Sequence, residues 1–136
     1  MLKIYSDAAV SQKNKCAGAG IVIVGEDLYE QLSIPLPVIL DNHLAELHAF
    51  HLAVKWSVEH DRTDEWTTFF TDSQLVAQAV NNQFIKKEEY LPLYNQIIQL
   101  LKRLAYYEVK WIPEKNNKGA DNLAKQAIAK QLKKKR

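Results

Sequence analysis

Cysteine is almost missing from this chain. The single residue, Cys16, excludes an internal disulfide and any zinc site that needs several thiolates. A lone thiol fits a reducing compartment, and a cytoplasmic protein is the expectation. Glycine and proline are scarce too, at four each, so no flexible linker divides the chain and no low-complexity block interrupts it. Long apolar runs are absent, and no segment is expected to cross a membrane. The opening residues, Met-Leu-Lys-Ile-Tyr-Ser-Asp, alternate like a strand and lack the apolar stretch and cleavage site of a signal peptide. What remains is globular in composition, with 47% hydrophobic and 25% charged residues over 136 positions. The expectation is one monomeric domain over 1–136, long enough to bury roughly two thirds of its unfolded surface without staples.

The formal net charge of +2 conceals a division. Residues 130–136 (KQLKKKR) hold five basic groups and no acid, whereas the other 129 residues hold 13 basic and 16 acidic groups, a net of −3. A basic tail on an acidic body suggests a polyanionic partner. The plainer explanation is a solvated helix end whose lysines favour the negative end of the helix dipole.

Hydrophobic periodicity divides the chain into nine elements. Alternation over 2–6 predicts a short strand ending at Asp7, and 17–24 (AGAGIVIV) and 28–34 (LYEQLSI) predict a hairpin ended by Pro35 and Pro37. Leu47, His51, Val54 and Val58 fall on one face of a helix over 43–59, with Asn42 as its N-cap. WTTFFT at 66–71 is a β-rich run, and Asp72 starts a helix to about Val80. A helix over 90–104, a strand over 107–112 and a helix from about Asn117 complete the pattern. The order β-β-β-α-β-α-α-β-α predicts an α/β fold with a mixed sheet, an antiparallel meander followed by parallel strands under helices.

Four carboxylates look ordinary one at a time. Asp72 is a good N-cap residue, and Glu46 and Asp121 favour helix N-termini through the dipole. Taken together they suggest more. Ligand sites of open α/β sheets lie beyond the carboxyl ends of the strands. Asp7 and Asp72 follow two such strands, and two helix starts bring Glu46 and Asp121 to the same edge. Four clustered acids repel one another and need a cation. Hard oxygen donors without His or Cys suit Mg²⁺ or Mn²⁺. Four acids suffice for two ions about 3.5–4 Å apart, the spacing used for in-line phosphoryl displacement.

Five segments in register, YSDAA at 5–9, GAGIVI at 18–23, NHLAELHA at 42–49, FTDSQLV at 70–76 and WIPEKNNKGADNLAK at 111–125, make the chain similar to type 1 ribonuclease H over essentially its full length. The resemblance implies a five-stranded mixed sheet with helices on both faces. It also implies endonucleolytic cleavage of the RNA strand of an RNA–DNA hybrid, leaving 5′-phosphates. By the same likeness Asp7 bridges two metal ions and Asp121 joins it on the ion that activates the attacking water. Glu46 and Asp72 hold the ion at the leaving 3′-oxygen, and Glu46 also contacts the ribose 2′-hydroxyl. Asn42 and Gln74 match positions that read the minor groove of the hybrid; an N-cap and a solvated helix residue are their plain readings.

The chain departs from the family pattern in five places, one of them Ala8, where the family commonly has Gly after the first Asp. The first hairpin loop, usually rich in Gly and Pro, is SQKNKCA at 11–17, where Lys13 and Lys15 are the candidate phosphate contacts. The family more often has Thr-Asn-Asn where Asp41, Asn42 and His43 stand. In relatives the outer two of those positions border a phosphate of the DNA strand, which an acid at Asp41 would oppose. The stretch 113–120 lacks the histidine many members carry before the last Asp. The segment from Asn81 to Tyr90 is too short for the basic protrusion of some members. His48 and His51 are read as packed or solvated side chains, and Trp66 and Trp111 as core rather than base-stacking. Two other readings remain: a catalytically weak module that binds hybrid or duplex, and a proofreading-type exonuclease. Ala9 disfavours the second, because such enzymes typically show Asp-x-Glu in the first strand.

Overall fold

The computed structural model describes residues 1–134 and has the element order that the sequence pattern predicts. Of the basic tail, Lys135 and Arg136 lie outside the described residues. Strands β1 (Leu2–Ser11), β2 (Cys16–Val24) and β3 (Tyr29–Leu36) form the antiparallel meander. Strands β4 (Thr67–Thr71) and β5 (Tyr107–Trp111) add in parallel, giving the order β3-β2-β1-β4-β5.

Helices α1 (Asn42–Glu59), α2 (Gln74–Asn81) and α3 (Leu91–Leu101) share one face of the sheet. Their apolar stripes meet Leu2, Ile4, Ile21, Ile23 and Phe69 in one core containing Leu47, Phe50, Val76 and Ile97. Each such fully buried side chain stabilises by about 1.5–3 kcal/mol, which holds the three helices down. Helix α4 (Lys118–Lys134) covers β1, β2 and β3 on the other face.

Several boundaries differ from the expectations, each for a local reason. Strand β1 does not end at Asp7 but runs to Ser11, because Ala8 to Ser11 find partners from Ala19 back to Cys16. Asp7 therefore lies inside a strand. Its parallel pairing with β4 nevertheless stops at Ser6–Thr71. Strand β3 passes through Pro35, as an edge strand can, since its outer side needs no N–H partner. The N-cap of α1 is Asp41, whose carboxylate accepts from the N–H groups of His43 and Leu44, rather than Asn42. The N-cap of α2 is Ser73, which accepts from Val76 N, rather than Asp72. Both corrections release side chains that the sequence pattern assigns to capping. Trp66 and Trp111, expected in the core, are 41% and 46% exposed.

Two glycines of β2 set the height of α4 above the sheet. A Cβ on Gly20 would run into the backbone of Ala120 and come within 2.6 Å of Ala124 N. A Cβ on Gly18 would lie 2.6 Å from both Ala124 O and Ala127 Cβ. Gly20→Ala must therefore lift the start of α4, and we expect a loss of about 3 kcal/mol in urea unfolding, the upper range for overpacking. Gly119→Ala is the control. Its Cβ meets only Val22 Cγ2 at 3.4 Å, so stability should hold or rise by up to about 1 kcal/mol.

Candidate active site

Where β4 stops at Thr71, β1 continues with β2 alone, and its backbone on that side has no strand partner. Side chains take over. Ala8 N donates to Glu46 Oε1 at 3.0 Å, and Asn117 Nδ2 donates to Ser6 O at 2.9 Å. Glu46 arrives from the first turns of α1, held there by the Asp41 cap. Asn117 sits just before α4, and its carbonyl accepts from Asp121 N. Asp72 follows Thr71, between β4 and the Ser73 cap, and its own carbonyl accepts from Trp111 Nε1 at 3.0 Å.

These anchors bring three carboxylates together. Ligand oxygens of Asp7, Glu46 and Asp72 lie within 4.8 Å of one another. Asp7 is only 4% exposed. Burial raises its carboxyl to about 7, with the charges of Asp72 and Asp121 adding, although hydrogen bonds from Glu46 and Ala8 oppose the shift. Burial raises Glu46 to about 10, followed by the charge of Asp7. Burial raises Asp72 as well, partly offset by a hydrogen bond from Asn117. The cluster is therefore short of positive charge.

Asp121 stands beside this group rather than inside it. Its Oδ2 pairs with Lys125 Nζ at 3.0 Å, one helical turn on. Its charge still acts on Asp7 and Asp72, so it borders the same space. Lys125 and Asn117 are the site residues that the sequence analysis did not single out. The i,i+4 spacing to Asp121 and the position before a helix were their signals.

The proposed substrate contacts divide. His43 and Gln74 line a cavity of about 650 Å³ together with Gln78, Phe84, Lys86 and Lys87. Phe84 is 68% exposed, an aromatic in a polar segment that pattern reading passed over. Asn42 is exposed on the first turn of α1. Lys13 and Lys15 stand on the β1–β2 turn, away from the carboxylates. Asp41 is engaged internally: beyond its two capping bonds it accepts from Tyr90 Oη, which holds its carboxyl below the usual value. His48 and His51 are half-buried on α1, where burial lowers both.

The donor set suits a hard divalent cation. Three carboxylates offer oxygen ligands from rigid elements, a fourth lies adjacent, and their shared burial disfavours the charged forms until a cation arrives.

Residues 5–127 match the protein family described as reverse transcriptase-like. Over 130 residues the chain is 34% identical to EbsB of Enterococcus faecalis, whose name assigns it no more than a hydrolase class; the match spans 96% of each. Among solved structures it is similar to RNase H1 of the archaeon Halobacterium salinarum, with a TM-score of 0.82, 23% identity and coverage of 95% of this chain and 98% of that one. It is also similar to LC11-RNase H1 in complex with an RNA/DNA hybrid, with a TM-score of 0.85, 23% identity and coverage of 97% and 99%. At these identities the structural likeness establishes the fold.

The raised carboxyls fix a sign for stability. Asp7 and Glu46 favour the folded chain when protonated, so their contribution is complete below about pH 4 and is lost as pH rises through about 7 and then about 10. Without divalent metal, the melting temperature should fall between pH 5 and pH 8, with a slope from Asp7 of at most about 1.4 kcal/mol per pH unit. Mg²⁺ should raise it more at pH 8 than at pH 5, and Asp7→Asn should flatten the metal-free slope. Asp41 has the opposite sign. Asp41→Ala should cost about 1–2 kcal/mol at pH 7 by removing the cap and the Tyr90 partner, a cost that disappears as pH falls below about 4.

Proposed function

The chain belongs to the reverse transcriptase-like family and has a type 1 ribonuclease H-like domain, and from that membership we propose that it is a divalent-metal-dependent nuclease hydrolysing the RNA strand of RNA–DNA hybrids. The observation that carries the reading is the convergence of Asp7, Glu46 and Asp72 where β4 parts from β1, with Asp121 alongside. Similarity to a ribonuclease H1 solved with an RNA/DNA hybrid supports the substrate class.

Asp7, Glu46, Asp72 and Asp121 would hold two Mg²⁺ or Mn²⁺ ions. When bound, these supply a water of lowered pKa and charge stabilisation at the leaving oxygen. The chain's residues supply position. Asp7 lies deepest and shares its charge with both neighbours. Glu46, fixed through Ala8 N, would contact the ribose 2′-hydroxyl beside the scissile phosphate. Lys125 neutralises part of Asp121. The cavity bordered by Gln74, Gln78 and Phe84 lies beside α2 and orients the duplex through polar amides and an aromatic face. In the reaction a water oxygen bonds to phosphorus and the P–O3′ bond breaks. The water gives up a proton and the departing 3′-oxygen takes one, leaving a 5′-phosphate and a 3′-hydroxyl.

A catalytically weak, hybrid-binding module is the second reading. The pairing of Asp121 with Lys125, outside the cluster of three, favours it. Incubating the purified protein with labelled RNA–DNA hybrid, RNA duplex and DNA duplex decides between them. The nuclease reading expects RNA cleavage in the hybrid with Mg²⁺ or Mn²⁺ and none with chelator. Asp7→Asn should cut turnover by about a thousandfold, since several kcal/mol of charge stabilisation depend on that carboxylate. Binding without cleavage in either metal would establish the module.

A further inference from the structure

The carboxylate site lies near one end of α4, and the other end of this helix has a different character. Gln131 Nε2 donates to Ala17 O at 2.7 Å, at the base of the β1–β2 hairpin. One turn earlier, Gly18 admits Ala127 and Ile128. The last turns of α4 therefore lie over that hairpin. Lys13 and Lys15 on the hairpin tip and Lys130, Lys133 and Lys134 on the helix are all exposed. None of the five forms an ion pair among the described residues. The segments that build this end, 8–19, 31–40 and 122–134, contain no Asp or Glu, although the chain has 16 acids.

The helix dipole accounts for Lys133 and Lys134 but not for Lys13 and Lys15, which come from a separate element. We propose that these two elements form a second nucleic-acid contact, a phosphate clamp set apart from the carboxylate site. It rests on the nuclease reading for its substrate. Two independent paths give its distance. Along α4, Asp121 to Lys134 spans about 20 Å at 1.5 Å per residue. Along β1 and its turn, Asp7 to Lys13 spans at most about 20 Å at 3.3 Å per residue. At 3.4 Å per nucleotide of one strand, that is about six nucleotides from the scissile phosphate. Contacts of this kind ignore sequence, so the clamp lends affinity and register without choosing the cleaved bond. A duplex fits it better than a lipid surface, because neither the hairpin tip nor the last turns of α4 carries an exposed large apolar side chain among the described residues.

The test uses the full chain carrying Asp7→Asn, so that binding is read without cleavage. Affinity for a long RNA–DNA hybrid is measured across a salt series, alone and with Lys130→Gln/Lys133→Gln/Lys134→Gln or Lys13→Gln/Lys15→Gln added. Each set should flatten the log–log salt slope by roughly 0.9 for every phosphate left without its lysine. In the active background, the helix set should lower kcat/KM several-fold more on hybrids extending ten base pairs beyond the cleaved bond than on hybrids extending three. An unchanged salt slope in both sets overturns the clamp. So does an equal fall in kcat/KM on long and short hybrids. Weaker binding to phosphatidylserine vesicles, with the hybrid slope intact, would reassign the patch to membranes and also overturn it. Wild-type cleavage of the hybrid is scored separately. Its absence would count against the nuclease reading, whereas the salt slope reads the clamp on any duplex.

Discussion

The parting of β4 from β1 governs the rest of the molecule. The strands are paired as far as Ser6 and Thr71, and the next residue on each is an aspartate. Beyond that point β1 keeps β2 but loses its other neighbour, and β4 turns into α2. Backbone groups left open inside a protein must find partners. The chain answers with Glu46 from a helix on one face and with Asn117, at the start of the helix on the other. Repairing the hydrogen bonding of a split sheet thus draws polar side chains from both faces to the two aspartates. Hydrogen-bonding need and chemical function coincide at this edge.

Electrostatically the same place is costly. Burial pushes Asp7 and Glu46 upward, and each charge pushes the others further. Nothing in the fold requires acids there. Amides could satisfy the same backbone atoms without the repulsion. An arrangement that works against stability and is supported by an extensive apolar core elsewhere is what a functional site looks like physically. The compensation lies on the α1 face, where Leu2, Ile4 and Phe69 are fully buried a few residues before the carboxylates. Rigid packing there limits how far the acids can move apart.

Much of this was legible in the sequence. The order of all nine elements follows from periodicity, because long stripes such as Leu47, Val54 and Val58 reflect burial on one face. The four carboxylates stand out only jointly, since each alone passes for a capping or dipole residue. Boundaries were less legible where local chemistry is degenerate. Asp41 and Asn42 cap equally well in isolation, and Tyr90, far away in sequence, is what engages Asp41. Asp72 and Ser73 present the same ambiguity. Strand β1 reads as short because Ala8 and Ala9 carry little signal, and pairing with β2 decides its length. Trp111 is apolar enough to suggest the core, yet its indole N–H supports the Asp72 backbone from an exposed position. Long-range partners of this kind leave no trace in a local pattern.

Helix α4 ties these features into one geometry. Gly18 and Gly20 let it lie almost directly on β2, so its height is fixed by backbone contact rather than by adaptable side chains. Its first turns place Asp121 and Lys125 beside the carboxylates, and its last turn places Lys133 and Lys134 over the hairpin. A single rigid element therefore carries a cation-seeking end and an anion-seeking end at a set distance. A net charge near zero for the chain as a whole hides this, because opposite charges at two ends cancel in a sum but not in space. The physical consequence is a dipolar molecule. A polyanionic strand is repelled at the carboxylates, unless divalent cations reverse the sign there, and attracted at the far end. Attraction at one end then raises the time the strand spends near the other, so cation binding at the carboxylates controls productive contact rather than association itself.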